Sequence, residues 1–211
     1  MRTLVAGRWR HPVANGTLLM NADDGTDAGG ERRQQAVVRR ALPRDAAAIA
    51  RVYVESWRTT YAGIIPAAYL DRLSRERQTR GWRRQIGVPG NVTLVAEVPE
   101  AGVIGFANGG PERSGNRNWF AELYVLYLLD AHQRHGVGRQ LVTAFAAQLA
   151  DIGLLRMLVW VLAENPARGF YQSLGGQLIG ERFTEVGGAK LTEVAYGWRD
   201  VRLLVPAPQA I

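Results

Sequence analysis

The sequence of 211 residues contains no cysteine. This absence excludes a disulfide scaffold, a thiolate zinc or iron–sulfur site, and a cysteine nucleophile. The chain also has no apolar run of about 18 residues, which excludes a transmembrane helix. Only short apolar stretches follow the arginines near the N-terminus, whereas a secretory signal needs about 7–15 apolar residues. We therefore expect a cytoplasmic protein that does not contact membranes.

Lysine is nearly absent as well, because 25 of the 26 basic residues are arginine. The formal net charge is +7, which indicates anionic partners such as phosphates, nucleic acid or acidic small molecules. The arginine-rich stretch 72–84 is a candidate nucleic-acid surface. Because Asp71, Leu73 and Glu76 interrupt it, a solvated amphipathic helix is the preferred interpretation. We predict no nucleic-acid partner.

Hydrophobic patterning divides the chain into one domain and two tails. Within residues 1–36, the segment 21–31 has no apolar side chain larger than alanine, which predicts a disordered tail. Residues 37–203 have the patterns of strands and helices, and 204–211 form a short C-terminal tail. A chain of this length supports one core without staples.

The apolar periodicities predict strand, helix, helix, three strands, helix, strand, helix and two strands. The strands are predicted at 37–39, 93–97, 103–107, 122–129, 157–162, 178–186 and 191–198, and the helices at 46–60, 67–85, 139–152 and 166–174. A helix connects 122–129 to 157–162, so these two strands should be parallel. The predicted class is α/β of the α+β type, with a mixed, mostly antiparallel sheet of about six or seven strands flanked by helices.

Residues 133–138 read Q-R-H-G-V-G between a buried strand and a helix. A glycine-rich turn at a helix N-terminus presents backbone N–H groups that bind phosphate. A Walker A loop is excluded because G-K-[S/T] is absent, and Leu141 stands where a dinucleotide fingerprint requires its third glycine. The hexapeptide alone leaves two interpretations open, a phosphate loop of the type Q/R-x-x-G-x-G/A and a purely structural turn.

Three segments, in this order, resemble motifs of the Gcn5-related N-acetyltransferases (GNAT). S-W-R-T-T-Y-A-G-I-I-P-A-A-Y-L at 56–70 is similar to the opening helices of bacterial members. E-L-Y-V-L-Y-L-L-D-A-H-Q-R-H-G-V-G-R-Q-L at 122–141 resembles the central strand–loop–helix motif, and N-P-A-R-G-F-Y-Q-S-L-G-G at 165–176 the second cofactor motif. The resemblance implies an acetyltransferase that uses acetyl-CoA as co-substrate, with a parallel strand pair splayed open for the cofactor.

The resemblance also implies which residues contact the cofactor. In the family, the pantetheine arm lies along the central strand like an added β-strand, here at Leu126, Leu128 and Leu129, and a strand N–H stabilises the oxyanion. Asn165 matches a position that contacts pantetheine, and it also suits an N-cap ahead of Pro166. The pyrophosphate would contact the loop residues Gln133, Arg134, His135, Gly136, Val137, Gly138 and Arg139.

The implied chemistry is direct attack by a primary amine of a small molecule or peptide, in a ternary complex. Tyr171 matches a tyrosine that protonates the leaving CoA thiolate, although a core tyrosine beside Phe170 is the alternative. Glu122 stands where many members carry the carboxylate that takes a proton from the ammonium group, and an exposed strand-end glutamate is the alternative. Trp57 and Tyr61 are candidate acceptor contacts, but aromatic residues at this helical spacing are more often part of the core, which is the preferred interpretation.

The sequence departs from the family pattern at three positions. Asp130 stands where proline is frequent, and Arg134 and His135 stand where smaller residues are common. The backbone N–H donors of the loop do not depend on these side chains. His132 and His135 have no matching carboxylate cluster, so we predict no metal. A non-catalytic acyl-CoA-binding regulator with the same fold, and a homodimer, stay open as alternatives.

Overall fold

The computed structural model describes residues 36–206. Apart from Ala36, the predicted N-terminal tail lies outside these residues, as do residues 207–211. The strands are β1 Val37–Arg40, β2 Val92–Val98, β3 Gly102–Pro111, β4 Ala121–Leu128, β5 Met157–Leu162, β6 Gln177–Val186 and β7 Ala189–Trp198. The helices are α1 Ala46–Thr60, α2 Ala67–Asp71, α3 Arg75–Gln85, α4 Val137–Asp151 and α5 Arg168–Ser173.

The seven strands form one sheet in the order β1-β2-β3-β4-β5-β7-β6. Every neighbouring pair is antiparallel except β4 and β5, which are parallel. The predicted mixed sheet and its parallel pair are therefore confirmed. Among residues 36–206, no helix has both the length and the apolar character needed to cross a bilayer.

The parallel pair separates soon after it begins. β4 and β5 are paired at only three positions, the last of which joins Leu123 to Val159. In the pairing of β4 with β3, Asn108 opposes Val125 and Gly109 opposes Leu123, so Tyr124 is the extra residue of a β-bulge. A bulge bends its strand and increases the local twist. The bulge thus comes directly after the last paired residue, where β4 leaves β5.

Helices α1 and α3 cover one face of the sheet with a cluster of buried aromatic rings. Tyr53 of α1 meets Tyr127 of β4 edge-on, with ring centroids 5.5 Å apart. Trp82 of α3 meets Phe106 of β3 in the same way at 5.0 Å. This side of the sheet is called the α1–α3 face below.

Helices α4 and α5 cover the opposite face. A Cβ atom at Gly109 would overlap the Phe145 ring of α4, so only glycine permits this close approach. Gly109 pairs with Leu123, Leu123 with Val159, and Val159 with Tyr196, and directly paired residues point to the same face. The Tyr171 ring of α5 stacks on Tyr196 at 6.1 Å. Tyr171 therefore reaches the sheet from the α4 side.

The single helix predicted over 67–85 is wrong, because the structure has two helices there. α2 ends at Asp71, and α3 starts at Arg75 after the N-cap Ser74, whose hydroxyl accepts a hydrogen bond from the Arg77 backbone N–H at 3.2 Å. A serine that satisfies a free backbone donor favours a new helix start over continuation.

The C-terminal end of the described chain packs on α4. Residues Val201–Leu204 form a short 3₁₀ helix, and Thr143 of α4 donates a hydrogen bond to the Leu204 carbonyl at 2.9 Å. Leu204, assigned to a tail from the sequence, is buried.

Candidate active site

The edge of β4 beyond the bulge presents backbone groups to the gap between β4 and β5. The Leu129 N–H bonds the Ile104 carbonyl on β3 at 2.9 Å. Since N–H and C=O groups alternate in direction along a strand, those of Leu126 and Leu128 point away from β3, into the gap. The Leu128 carbonyl accepts hydrogen bonds from the Ser56 hydroxyl at 3.0 Å and the Gln133 side chain at 3.4 Å. The Leu126 and Leu128 N–H groups thus face the place where a parallel strand would pair.

Two of the predicted cofactor residues, Leu129 and Gln133, already make hydrogen bonds within the protein. At Leu129 the N–H bonds β3, and the C=O accepts from the His132 N–H at 2.9 Å, so both backbone groups already serve the fold. Gln133 is buried, and its side chain ties the loop to the end of β4.

The loop before α4 gathers backbone N–H donors at a helix N-terminus. Gly136 is left-handed with φ of 77°, and Arg134 has a positive φ of 61°. The first hydrogen bond of α4 runs from the Gln140 N–H to the Gly136 carbonyl at 3.0 Å. The N–H groups of Val137, Gly138 and Arg139 precede that bond and have no carbonyl inside the helix to bond. The side chains of Arg134, His135 and Arg139 are exposed around them.

Tyrosine hydroxyls from both faces of the sheet approach each other at the gap. Tyr61, just after α1, and Tyr127 come from the α1–α3 face, whereas Tyr171 comes from the α4 side. Burial raises the pKa of Tyr61, the Tyr127 hydroxyl and the Asn165 side chain lower it in part, and nearby Tyr53 and Tyr171 raise it further. All of these side chains are buried, and the Tyr61 phenol is protonated at neutral pH. The split sheet thus contains a cluster of polar atoms in an apolar setting.

Asn165 is not the N-cap predicted from the sequence, because α5 starts at Arg168 after the N-cap Ala167. The Asn165 side chain instead stabilises the turn before the helix and retains a donor. Its side-chain oxygen accepts a hydrogen bond from the Ala167 N–H at 2.9 Å. Its Nδ2 is buried and approaches Tyr61 without reaching hydrogen-bond geometry with any described residue. A buried donor without a partner costs about 1–3 kcal/mol, which a polar ligand atom in the gap would relieve.

Glu122 lies in the paired start of β4 and is only 2 % exposed, so it is not an exposed strand-end residue. Its Oε2 accepts from the Arg113 Nε at 3.1 Å, and its Oε1 accepts from Nη2 of the same guanidinium. Arg113 in turn lies over the Tyr124 ring at 3.8 Å. Burial raises the pKa of Tyr124 to about 12, so its hydroxyl remains a donor to the Pro111 carbonyl. Glu122 is therefore firmly oriented.

Trp57 and Tyr61 are fully buried, and their rings meet edge-on at 5.0 Å. Trp57 also stacks on Tyr53 at 5.2 Å, as the core interpretation predicts. The Tyr61 ring packs in the same aromatic cluster, whereas its hydroxyl lies at the gap.

Sequence analysis missed a second buried carboxylate on the α1–α3 face. Glu193 of β7 is 0 % exposed and pairs with Leu162 at the end of β5, and its Oε2 accepts from the Arg182 Nε at 2.7 Å. Arg182 lies 4.0 Å above the Trp160 ring. Glu193 directly follows the polar Thr192 along β7, and a charged residue beside a polar one is typical of an exposed position, so sequence analysis did not select it.

Within the described part of the chain, no group of three or more metal-ligating side chains is arranged around a common point. His132 lies close to His135, and burial, followed by the neighbouring His135 and Arg51, lowers the pKa of His132.

Comparison with known proteins identifies the family. The profile of the FR47-like protein family matches residues 116–184, which include β4, the glycine loop, α4, β5 and α5. The uncharacterized N-acetyltransferase YuaI of Bacillus subtilis is 40 % identical over 167 residues, which cover 79 % of this chain and 95 % of that protein.

Solved structures share the fold. The ribosomal-protein-alanine N-acetyltransferase of Brucella melitensis superposes with a TM-score of 0.61 at 23 % identity, covering 76 % of this chain and 98 % of that chain. The PaiA N-acetyltransferase of Thermoplasma acidophilum, in complex with coenzyme A, gives 0.58 at 23 % identity, covering 75 % and 97 %. These likenesses show the shared fold. The 40 % identity with YuaI, together with the FR47-like match, shows that the chain belongs to the GNAT superfamily and is an N-acetyltransferase.

Proposed function

We propose that this protein transfers an acetyl group from acetyl-CoA to a primary amine, by direct attack in a ternary complex. The observation that carries the proposal is the early separation of β4 from β5, which are paired at three positions only. Beyond them, β4 offers a free strand edge that leads to a loop of unpaired N–H groups. A PaiA enzyme with the same fold holds coenzyme A, a molecule with a peptide-like arm and a pyrophosphate.

The pantetheine arm would pair with β4 in the manner of an added strand, using the backbone groups of Leu126 and the N–H of Leu128. The Asn165 Nδ2 would donate to an amide carbonyl of the arm. The pyrophosphate would accept hydrogen bonds from the N–H groups at the start of α4, where the helix dipole favours negative charge. Arg134 and Arg139 would add positive charge.

The acceptor amine would attack the thioester carbonyl, forming the C–N bond while the carbonyl oxygen becomes an oxyanion. The Leu126 N–H, which points into the gap, would stabilise that charge. Collapse of the intermediate breaks the C–S bond, and the Tyr171 hydroxyl would protonate the departing thiolate. Before the attack, Glu122 would take one proton from the ammonium group, directly or through water. The nitrogen loses its second proton as the amide forms, and that proton would restore the Tyr171 hydroxyl. No enzyme nucleophile is needed, in agreement with a chain that lacks cysteine.

Acetyl-CoA binding tests the first half of the proposal. We expect acetyl-CoA at 100 times its Kd to stabilise the fold by about 2.7 kcal/mol and so to raise the Tm. Release of free CoA with a panel of primary amines tests the second half. A folded sample with no shift of Tm at millimolar acetyl-CoA would refute the proposal, whereas binding without CoA release from any amine would favour a non-catalytic acyl-CoA-binding protein.

The glycine loop allows a sharp test of the phosphate site. Gly136→Asp should weaken acetyl-CoA binding by more than tenfold, because it places a carboxylate among the N–H groups that would hold the pyrophosphate. The space around a Cβ at Gly136 is open, so the folded-state cost is the left-handed backbone, about 1–2 kcal/mol. Titration calorimetry measures the affinity.

Gly153→Asp is the matched control for this loop variant. Gly153 has the same φ of 77° and equally open space, but it follows the opposite end of α4. It should cost similar stability and leave the affinity for acetyl-CoA unchanged. Equal affinities in the two variants would place the phosphates elsewhere.

A further inference from the structure

The carboxylate of Glu122, proposed above as the base, is engaged by another side chain of the protein. Both of its oxygens accept hydrogen bonds from the Arg113 guanidinium, and Oε2 also accepts one from the Arg113 backbone N–H at 3.3 Å. The Glu122 side chain is 2 % exposed, whereas that of Arg113 is 36 % exposed. Arg113 therefore stands between the carboxylate and the solvent.

This ion pair bears directly on the proposed reaction, in which Glu122 takes a proton from the acceptor's ammonium group. That ammonium group, or a water that relays its proton, has to lie within about 3 Å of a carboxylate oxygen. The guanidinium of Arg113 holds that position with its own N–H donors, and it cannot accept the proton because arginine has no acceptor atom. Arg113 and the acceptor's ammonium group therefore compete for one carboxylate.

Arg113 belongs to the loop between β3 and β4, whose tip is stabilised by hydrogen bonds within the loop. The Glu112 carboxylate accepts hydrogen bonds from the backbone N–H groups of Ser114 and Asn116, the latter at 2.9 Å. Residues 113–118, which form the tip, are all exposed. Movement of the tip would therefore break the contact with the carboxylate without uncovering the core.

The end of the same loop is anchored to the sheet. A Cβ atom at Gly197 of β7 would overlap the Trp119 ring, so this ring lies directly against the strand. The Phe120 N–H donates to the Arg156 carbonyl at 3.1 Å. The tip can thus move while the base of the loop keeps its place.

We infer that Arg113 holds Glu122 in a resting state, and that the acceptor displaces the guanidinium from the carboxylate before acetyl transfer. This inference rests on the proposed function. The displacing group has to be a cation, because a buried carboxylate left without its partner is strongly destabilising. An ammonium group keeps Glu122 paired, and the released arginine turns to water. Glu122 is thus freed from Arg113 only when a protonated primary amine takes its place.

Replacing Arg113 by glutamine should lower KM for the acceptor and leave kcat unchanged. A site that is competent in only a fraction of the molecules binds its ligand more weakly by that fraction, and saturating ligand overcomes the difference. We expect KM to fall about tenfold or more, the effect of removing a charge-assisted competitor. CoA release at saturating acetyl-CoA measures both constants, with n-butylamine, benzylamine and ethanolamine as probes. The factor should be the same for all three, because displacement of Arg113 does not depend on the rest of the acceptor.

Arg117→Gln is the matched control, because it removes the same charge from the same loop. Arg117 is exposed and makes no hydrogen bond or ion pair with any of residues 36–206, so KM should stay at the wild-type value. Arg113→Lys keeps a cation beside the carboxylate and should retain most of the wild-type KM. Should Arg113→Gln fail to fold, Glu112→Ala loosens the tip and keeps both members of the ion pair. It should lower KM in the same direction by a smaller factor.

The outcomes separate this inference from the proposed function. If the amines release CoA and KM is unchanged or higher in Arg113→Gln, acetyl transfer stands and Arg113 only stabilises the buried carboxylate. If the factor differs among the three amines, Arg113 contacts the body of the acceptor and does not compete for Glu122. If neither the wild type nor Arg113→Gln releases CoA with any amine, the proposed function fails and this inference with it.

Discussion

The Tyr171→Phe enzyme should transfer acetyl groups about 10²–10⁴-fold more slowly than the wild type, the usual effect of losing a positioned acid. The substitution removes one hydroxyl and keeps the ring that packs against Tyr196 and, at 6.0 Å, against Trp198. Steady-state rates of CoA release measure the effect. KM for acetyl-CoA should move little, because the lost interaction is mainly with the leaving thiolate.

Tyr196→Phe is the control for loss of a buried tyrosine hydroxyl. Tyr196 is also fully buried, but its hydroxyl accepts a hydrogen bond from the Arg168 Nε of α5 at 3.3 Å. Its loss should lower stability modestly and leave turnover near that of the wild type. If Tyr171→Phe retained wild-type turnover, Tyr171 would be a core residue and would not act as the acid.

The backbone features of the site are the part that the sequence predicts well. A buried strand, a glycine pair and an amphipathic helix each have a local signature, and the right-handed crossover rule then makes β4 and β5 parallel. The loop before α4 follows from the same local pattern, since Gly136 supplies the left-handed residue that the turn requires. Each of these features depends on residues that are close together in the sequence.

The separation of β4 from β5 is not visible in any local pattern. The bulge at Tyr124 depends on how β3 and β4 pair. Because β4 is apolar and buried at almost every position, it has no alternation in which an extra residue would be visible. The resemblance to the family implied the splayed pair, whereas periodicity predicted only that the strands are parallel.

The sequence also could not predict which side chains pair with one another at the site. Arg113 and Arg182 meet Glu122 and Glu193 through strand pairing and loop packing. Trp57 and Tyr61 posed a different difficulty, because helical spacing is the same for a core residue and for a site residue. In the structure the Tyr61 ring is core and its hydroxyl is at the gap, so the two interpretations are not exclusive.

Replacing Glu122 by glutamine separates its chemical role from its structural one. Glu122→Gln keeps the size of the side chain and removes its charge. If Glu122 accepts the acceptor's proton, kcat/KM for the amine should fall by about 10²–10⁴ near neutral pH. The loss should shrink as the pH approaches the pKa of the free amine, because a neutral amine needs no base. In Tyr171→Phe, by contrast, the loss should persist at high pH.

Arg113→Gln is the control, since it breaks the same ion pair and keeps the carboxylate. Removing one partner of a buried pair costs about 3–5 kcal/mol. Arg113→Gln should approach that cost, because Glu122 stays 2 % exposed without its cation, whereas in Glu122→Gln the Arg113 side chain, 36 % exposed, can turn to water. In denaturant unfolding, Arg113→Gln should therefore be less stable than Glu122→Gln. In pH–rate profiles, only Glu122→Gln should lose the dependence of the rate on an ionised carboxylate. If both variants lose the same activity with the same pH profile, Glu122 serves only to anchor the loop that carries Arg113, and the proton leaves the amine by another route.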